Sequence, residues 1–461
     1  MAGRMLSGSS GGNMGVWLRA SQADYALIAQ KAGHDRFTFE KMLPYFRGIE
    51  TYWNKSADPK YHGFSGPIHT VAGRNYPLRD VIRKSYESMG YMCNPESMTG
   101  DPTGLTDLTQ CFNATSESSC ERQHSAGIYD LSNVHVLCES PVARILFDAE
   151  KNASGVTLLD SRQLAARKEV IISCGSQKPP QLLMLSGIGP ASELSKHEIP
   201  TLVDSPSVGQ NLFDHMVLTQ YFKPRHPEKG LCLLFTGTEW IAFKNIPPSD
   251  LAPVLSADNE PGVKDNQHPH LQPKRCHIMT IPFYWPMLAT SEYNPEIGPL
   301  DGTHMALTSL HLLPISRGAI TLKSPNPFDN PVIDPRYFST NTDRYILRRA
   351  VREILRLTET EPLASGLVGE APPVDPRLPA LSTKSSDEEI DARIRAFCGT
   401  IVHPMGPCAL GTVLYAEFQV KGVQGLRVCD VSVFPEPVGA MLSQTIYAVG
   451  ELCADLVAGR E

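Results

Sequence analysis

The sequence lacks the features that mark several common classes of protein. Its 11 cysteines include no Cys-x-x-Cys pair and no zinc-finger spacing, so neither a metal site nor a redox dithiol motif is indicated. No apolar run reaches the roughly 18 residues that a transmembrane helix needs. Lysine and arginine are dispersed, and the net charge is -7. These absences argue against a metalloprotein, a membrane-spanning protein and a nucleic-acid-binding protein.

The start of the chain also lacks an apolar segment typical of a secretory signal. As written, the chain is expected to be cytoplasmic. If the N-terminus is truncated, the protein is expected to be secreted, and the sequons at Asn54, Asn113 and Asn152 would then matter. The localisation therefore stays open. The length of 461 residues and the 41% hydrophobic content are those of an ordinary globular protein of two to four domains.

The middle of the chain has the sequence pattern of a strand followed by a turn and a helix. Residues 169–174 form a nearly continuous apolar run, as expected of a strand buried on both faces of a parallel sheet. Gly175 ends this run, a proline at 179 or 180 begins a helix, and residues 187–190 end the helix. Upstream, strands are predicted at residues 134–138, 143–147 and 156–159.

Downstream, the pattern changes to an antiparallel sheet and amphipathic helices. Residues 218–340 contain strand-length runs and many prolines, which indicate antiparallel pairing. Asp343 is predicted to be the N-cap of one helix and Ser386 the N-cap of another. Helical spacing of apolar residues predicts two further helices, at about residues 35–46 and 444–457.

The opening loop is rich in small residues. Residues 3–19 contain five glycines and three serines, which lets backbone N–H groups approach an anionic or flavin ligand. Residues 8–12 also match the Gly-x-Ser-x-Gly nucleophile elbow of α/β-hydrolases. That elbow requires a strand immediately upstream, and too few residues precede it here. A purely structural loop is the other alternative.

Several segments in the same order resemble signatures of the glucose-methanol-choline (GMC) flavin oxidoreductases. The opening loop resembles the first signature, and residues 175–190 resemble the second. Residues 207–215 are similar to the family sequence Val-Gly-Gln-Asn-Leu-x-Asp-His. Residues 403–408 and 423–435 resemble the two C-terminal segments, His-Pro-x-Gly-Thr-Cys and Gly-Leu-Arg-Val-x-Asp-Ala-Ser-Val-x-Pro. The resemblance covers essentially the whole chain.

This resemblance implies an α/β plus α+β architecture. An FAD-binding domain with a parallel sheet is expected from residues 1–36, 133–217 and 400–461, and an antiparallel-sheet substrate domain from residues 37–132 and 218–399. Because the chain begins almost inside the first signature, the first βαβ unit and its glycine-rich turn are expected to be missing. The glycine-rich turn leads into the helix whose N-terminus binds the pyrophosphate of FAD. Loss of the turn would therefore weaken FAD binding.

The resemblance also assigns site residues. His403 would be the base that takes the hydroxyl proton of an alcohol, and Met441 stands where the family has a second His or Asn. A thioether neither accepts a proton nor donates a useful hydrogen bond. In the family, the positions of Asp214 and His215 are structural. Contacts to FAD are expected from Ser9, Asn13, Met14, Val16, Val142, Asp430 and Ser443.

The function implied is an FAD-dependent alcohol oxidase or dehydrogenase that acts on a small molecule, in fungal secondary-metabolite biosynthesis. Met441 and the missing turn keep two alternatives open. One is a non-redox enzyme of the same fold, a cyclase or dehydratase that uses only acid–base chemistry. The other is an inactive, truncated homologue.

Overall fold

A computed structural model describes residues 3–73, 76, 78–114, 120–227, 238–284 and 303–460. Its α-helices vary from single turns to one of 18 residues. They are α1 (Gln22–Ala32), α2 (Phe39–Gly48), α3 (Arg79–Ser88), α4 (Ser125–Ile128), α5 (Lys178–Leu185), α6 (Ala191–Lys196), α7 (Pro248–Ala257), α8 (Asn341–Thr358), α9 (Leu363–Gly366), α10 (Asp387–Phe397) and α11 (Ser443–Ala458).

The strands are short, except for those of one antiparallel sheet. They are β1 (Glu50–Thr51), β2 (Ile68–His69), β3 (Gly104–Asp107), β4 (Phe112–Ala114), β5 (Cys120–Arg122), β6 (Val142–Phe147), β7 (Ala153–Leu158), β8 (Gln163–Ala165), β9 (Val170–Ile172), β10 (Ile188–Gly189), β11 (Val203–Asp204), β12 (Met216–Pro224), β13 (Trp240–Lys244), β14 (Ile278–Phe283), β15 (Met305–His311), β16 (Ala319–Thr321), β17 (Val332–Asp334), β18 (Leu367–Glu370), β19 (Gly399–Thr400) and β20 (Leu426–Val428).

The antiparallel sheet is the largest element, and it confirms the antiparallel part of the predicted fold. Its order is β18-β12-β15-β14-β13-β3, and β19 also pairs with β12. Strands β12 and β15 pair in register from Met216–His311 to Phe222–Met305. Every residue of β14 and β15 is buried, because α8 and other elements cover the sheet.

Helix α8 packs on this sheet, but its N-terminus differs from the prediction. Thr340 is the N-cap and accepts a hydrogen bond from the backbone N–H of Asp343. Asp343 lies in the first turn, where its carboxylate bonds His311 Nε2 (2.9 Å) and the backbone N–H groups of Ile315 and Ser316. Because the side chain of Asp343 bonds these distant residues, it does not cap the helix.

The parallel part of the fold is much smaller than predicted. Strand β9 pairs in parallel only with β20 among the described residues, and Ile171 in β9 is 44% exposed. The prediction of a strand buried on both faces is therefore wrong. Residues 134–138 form no strand, and the partner of β6 is β7. A strand needs a hydrogen-bonding neighbour, and residues 134–138 have none in the described chain.

The opening segment, α2 and α11 pack together through a buried polar cluster. Glu50 accepts hydrogen bonds from Trp17 Nε1 (3.1 Å), Arg19 (2.7 Å) and the side-chain amide of Gln444 (2.9 Å). Both α2 and α11 confirm predicted helices. Within the described residues, no helix combines the length and the apolar character needed to cross a bilayer.

The division into two domains stays a prediction. One apolar cluster contains Trp17 and Val449 as well as Met279 and Leu310 of the antiparallel sheet. The core is thus continuous across the predicted boundary.

Candidate active site

The segment that carries His403 leaves the edge of the antiparallel sheet where β19 pairs with β12. Asp214 holds this segment: its carboxylate accepts hydrogen bonds from the backbone N–H of His403 (3.0 Å) and from the hydroxyl of Thr400. Tyr337 donates a third hydrogen bond to Asp214 (2.9 Å). Val402 adopts a left-handed backbone (φ 65), which is strained for a β-branched residue and needs such support.

The carboxyl of Asp214 is itself buried. Burial raises its pKa to about 6, although the hydrogen bonds from Thr400 and Tyr337 act in the opposite direction. Above that pH it is mainly ionised, and it places a negative charge next to the backbone of His403.

The imidazole of His403 is partly buried and faces a second imidazole. Its Nδ1 lies 3.0 Å from Nδ1 of His215, and the two rings meet edge to face. Burial lowers the pKa of His403 to about 4. Burial and the repulsion of His403 and His311 lower the pKa of His215 well below its usual value. Both rings are therefore neutral near pH 7, and a neutral imidazole can accept a proton.

Residues 207–215 join the segment of His403 to that of Met441. Phe213 exchanges two backbone hydrogen bonds with Met405, and the side-chain amide of Asn211 donates to the carbonyl of Pro435 (3.2 Å). Met441 is 6% exposed and packs in the apolar core. Sequence reasoning gave this segment only a structural role and missed its contact with His403.

The opening loop contacts the start of α11. The side-chain amide of Asn13 donates to the hydroxyl of Ser443 (3.1 Å), and Gln110 donates to the carbonyl of Met14 (2.9 Å). Val16 bridges to Gln110. Four predicted cofactor residues thus lie together. A Cβ on Gly15 (φ 70) would lie 2.7 Å from the ring of Phe112, so the loop needs a glycine there.

Ser9 lies elsewhere in this loop. It sits in a 3₁₀ helix (Gly8–Gly11), is exposed, and accepts a hydrogen bond from the backbone N–H of Gly3 (3.2 Å). The described residues 3–7 form no strand. The nucleophile-elbow alternative therefore lacks the strand that it requires.

The other predicted residues lie apart from this group. Asp430 follows β20, and its carboxylate accepts the backbone N–H groups of Gly175 and Ser432 (both 2.9 Å). Burial raises the pKa of Asp430 to about 7. Val142 begins β6 and is 38% exposed on the three-stranded sheet β6-β7-β8. Among the described residues, no hydrogen bond joins His403 to the opening loop; the link runs through residues 207–215 and the segment before α11.

The residues present fit the ring-binding part of an FAD site, the cofactor that the sequence resemblance implies. Helix α11 begins at Ser443 without a side-chain cap, so its first N–H groups and the positive end of its dipole are available to an electron-rich group. Gln444 Oε1 is buried there without a partner among the described residues. Asn13, Ser443 and this helix end would hold the flavin ring, and Asp430 would hold a more distant part of the cofactor.

Comparison with known proteins identifies the family of the chain. Two family models described as GMC oxidoreductase match residues 1–217 and 314–450. The GMC-type oxidoreductase acuG of Aspergillus aculeatus is 38% identical over 469 residues, which cover 99% of this chain and 84% of that protein. Choline oxidase of Arthrobacter globiformis is 30% identical to this chain. The match covers 98% of this chain and 80% of that protein.

Solved structures show the same fold. A variant of Aspergillus oryzae formate oxidase, studied for FAD modification, superposes with a TM-score of 0.85 at 26% identity. The match covers 100% of this chain and 85% of that chain. The chain therefore belongs to the glucose-methanol-choline oxidoreductase family, whose cofactor is FAD.

Proposed function

We propose that the protein oxidises an alcohol group of a small molecule by hydride transfer to FAD, with His403 as the base. The observation that carries the proposal is the neutral imidazole of His403, held at its Nδ1 by His215 and at its backbone by Asp214. A base in this state is ready to accept a proton without first losing one.

Alcohol oxidation breaks an O–H bond and a C–H bond on adjacent atoms. The hydroxyl proton passes to His403, and the hydride leaves the neighbouring carbon with its electron pair. FAD, when bound, supplies the acceptor for that hydride. Asp214 keeps the backbone of His403 in place during the transfer through its hydrogen bond from the backbone N–H of that residue.

The substrate we propose is a weakly polar alcohol. Met14, Val16 and Met441 are apolar, and they lie one to three residues from Asn13 or Ser443 in the chain. The proposal includes a role in fungal secondary-metabolite biosynthesis. The Aspergillus aculeatus relative supports a fungal GMC-type oxidoreductase, because it matches nearly the whole chain. Choline oxidase and formate oxidase, by name, also act on small molecules.

Met441 favours a second candidate, a non-redox enzyme in which His403 acts alone as acid and base. A thioether cannot take part in proton transfer, so the position at which the family has a second His or Asn offers no proton donor or acceptor here. Versicolorin B synthase of Emericella nidulans, a relative named as a synthase, is 26% identical over 100% of this chain and 76% of its own length.

Anaerobic reduction of the flavin tests the first candidate. Purified protein loaded with FAD is mixed with a panel of primary aromatic and aliphatic alcohols, and the loss of flavin absorbance is followed in a stopped-flow instrument. We expect His403→Ala to slow flavin reduction by about 10²–10⁴-fold, the usual contribution of a general base. The matched control is His135→Ala, which removes an exposed imidazole and is expected to leave the rate unchanged.

Three other outcomes have distinct meanings. Unchanged flavin reduction in His403→Ala would remove His403 from the mechanism. Conversion of a substrate without any change in flavin absorbance would favour the non-redox enzyme. A folded protein that takes up no FAD and converts no substrate would indicate an inactive homologue.

A further inference from the structure

The contact between His215 and His403 restricts where their protons lie. The two Nδ1 atoms are 3.0 Å apart, a hydrogen-bond distance that has room for one proton. Because both rings are neutral near pH 7, one Nδ1 must donate and the other must accept. The direction of this single bond decides which nitrogen of His403 carries its proton.

The surroundings of His215 determine that direction. Its Nε2 is fully buried and has no hydrogen-bond partner within normal geometry among the described residues. The backbone carbonyls of Val438 and Leu312 act as acceptors for the ring and raise the pKa of His215 against the effect of burial. Because Nδ1 faces His403, they act on Nε2. A carbonyl oxygen only accepts, so a bare lone pair facing these oxygens would be repelled, whereas an N–H is attracted. Nε2 of His215 is therefore protonated, and its Nδ1 is left as an acceptor.

A doubly protonated His215 is disfavoured first by its complete burial and then by the two neighbouring imidazoles. The side chain is completely buried, and both His403 and His311 would repel a positive charge on it. His311 is itself bonded through Nε2 to Asp343 (2.9 Å), which directs that carboxylate toward His311. The carboxylate of Asp214, next in the chain, is engaged by Thr400, Tyr337 and the backbone of residue 403.

We propose that His215 is a positioning residue that holds His403 in the Nδ1–H tautomer, which leaves Nε2 of His403 as the free lone pair. The inference deepens the proposed function and rests on it only for the catalytic role of His403. When the substrate hydroxyl ionises, its O–H bond breaks and a new N–H bond forms at Nε2. The Nδ1–H of the resulting imidazolium stays bonded to His215, which stabilises the positive charge without taking the proton.

Nitrogen-15 NMR of the histidine-labelled holoprotein tests the tautomer directly. The two neutral tautomers give different nitrogen shifts, and the signals of His403 are assigned from their loss in His403→Gln. In the wild-type protein we expect His403 to be protonated at Nδ1 and bare at Nε2. A proton at Nε2 and a bare Nδ1 in wild-type His403 would overturn the proposal, and this result needs no substitution of His215.

Two variants of similar size then test the role of His215. In His215→Asn the amide oxygen can take the place of Nδ1, so the tautomer of His403 is expected to be retained and flavin reduction to slow by less than about tenfold. In His215→Gln the polar group moves to the position of Nε2. The bond to His403 is then lost, its tautomers mix, and reduction is expected to slow by about 10²-fold, with little change in substrate affinity. His270→Asn is the control, because it removes a buried imidazole whose ring neighbours in the described chain are His268 and His277.

The outcomes separate this proposal from the proposed function. If His215→Gln leaves the nitrogen signals of His403 unchanged, His215 does not set the tautomer. If the signals change and flavin reduction does not, the positioning role stands and His403 is not the base. Equal slowing in the Asn, Gln and control variants would show a general loss of structure and would also count against the proposal.

Discussion

At the scale of one residue, substitution of Met441 tests how much the reaction depends on a second polar side chain in addition to His403. The side chain is 6% exposed and lies in the apolar core two residues before the start of α11. In Met441→Asn an amide could donate a hydrogen bond to the substrate oxygen. One such bond to a developing negative charge is worth about 1.5–3 kcal/mol, so flavin reduction is expected to accelerate by about tenfold or more.

Met441→Leu is the matched control for this change. Leucine keeps the volume and the apolar character, so the rate is expected to stay within about twofold of wild type. The comparison is made at equal FAD occupancy by single-turnover reduction. If the Asn and Leu variants reduce the flavin at the same rate, a hydrogen bond at position 441 does not limit the reaction.

Single residues also show what the sequence could and could not reveal about the site. The motif around His403 predicts a catalytic base, and this role stays a prediction. The opening loop predicts contacts to FAD, and the structure places one of its residues, Asn13, against Ser443. The contact of His403 with His215 was hidden because the two residues are 188 positions apart in the chain. It depends on the pairing of Met216 with Thr400, a register that no local pattern encodes.

At the scale of elements, the carboxylate of Glu50 ties the opening segment to α11. It is fully buried, and the positive charge of Arg19 together with hydrogen bonds from His62 and Trp17 outweighs the effect of burial and lowers its pKa. Glu50→Gln would leave the guanidinium of Arg19 buried without a counter-charge. We expect a loss of about 3–5 kcal/mol in the free energy of unfolding, measured by urea denaturation.

The exposed pair of Arg83 and Glu87 supplies the control for this prediction. Their charged atoms lie 3.9 Å apart, and both side chains are more than 40% exposed. Glu87→Gln is expected to change stability by less than about 0.5 kcal/mol. We also expect Glu50→Gln, unlike the control, to weaken FAD binding, because Gln444 and Trp17 lose a shared acceptor. Equal stability of the two variants would contradict the role of Glu50.

The elements differ in how well the sequence predicted them, and the difference has a physical cause. Helices α10 and α11 were predicted because the signals are local: Ser386 forms a capping box with Glu389 in α10, and α11 has apolar residues at helical spacing. Strand β9 was predicted to be buried on both faces, yet burial of a strand depends on neighbours that its own residues do not specify. Asp343 has the composition of a cap, but its tertiary partners place it in the first turn.

At the scale of the whole molecule, buried titratable groups of two kinds oppose each other in the pH dependence of stability. Burial raises the pKa of Asp214 to about 6, of Asp430 to about 7 and of Glu239 to about 8. These carboxyls bind protons in the folded state that they lose on unfolding, so they make stability fall as pH rises through this range. Burial lowers the pKa of five histidines, which have the opposite effect: His215, His268, His270, His277 and His403.

Because an unfolded histidine has a pKa of about 6.5, these five rings take up protons on unfolding below that pH. They outnumber the raised carboxyls, so the unfolded state should bind one to two more protons between about pH 4.5 and 6. Stability is then expected to fall by about 2 kcal/mol for each unit of acidification, and to peak between about pH 6 and 7. Above the peak it should decline gently as Asp430 and Glu239 ionise in the folded state.

Urea denaturation of the cofactor-free protein at pH 4.5 to 8 measures this profile. His268→Asn removes one of the five rings, the pKa of which is lowered to about 4 by burial, and should reduce the acid slope by about 1.4 kcal/mol per pH unit. His135→Ala removes an exposed ring and should leave the slope unchanged. A stability that keeps rising from pH 6 to 8 would show that Asp430 and Glu239 are already ionised in the folded protein. In that case burial would not govern their titration, and Asp430 would present a charged carboxylate to the cofactor near neutral pH.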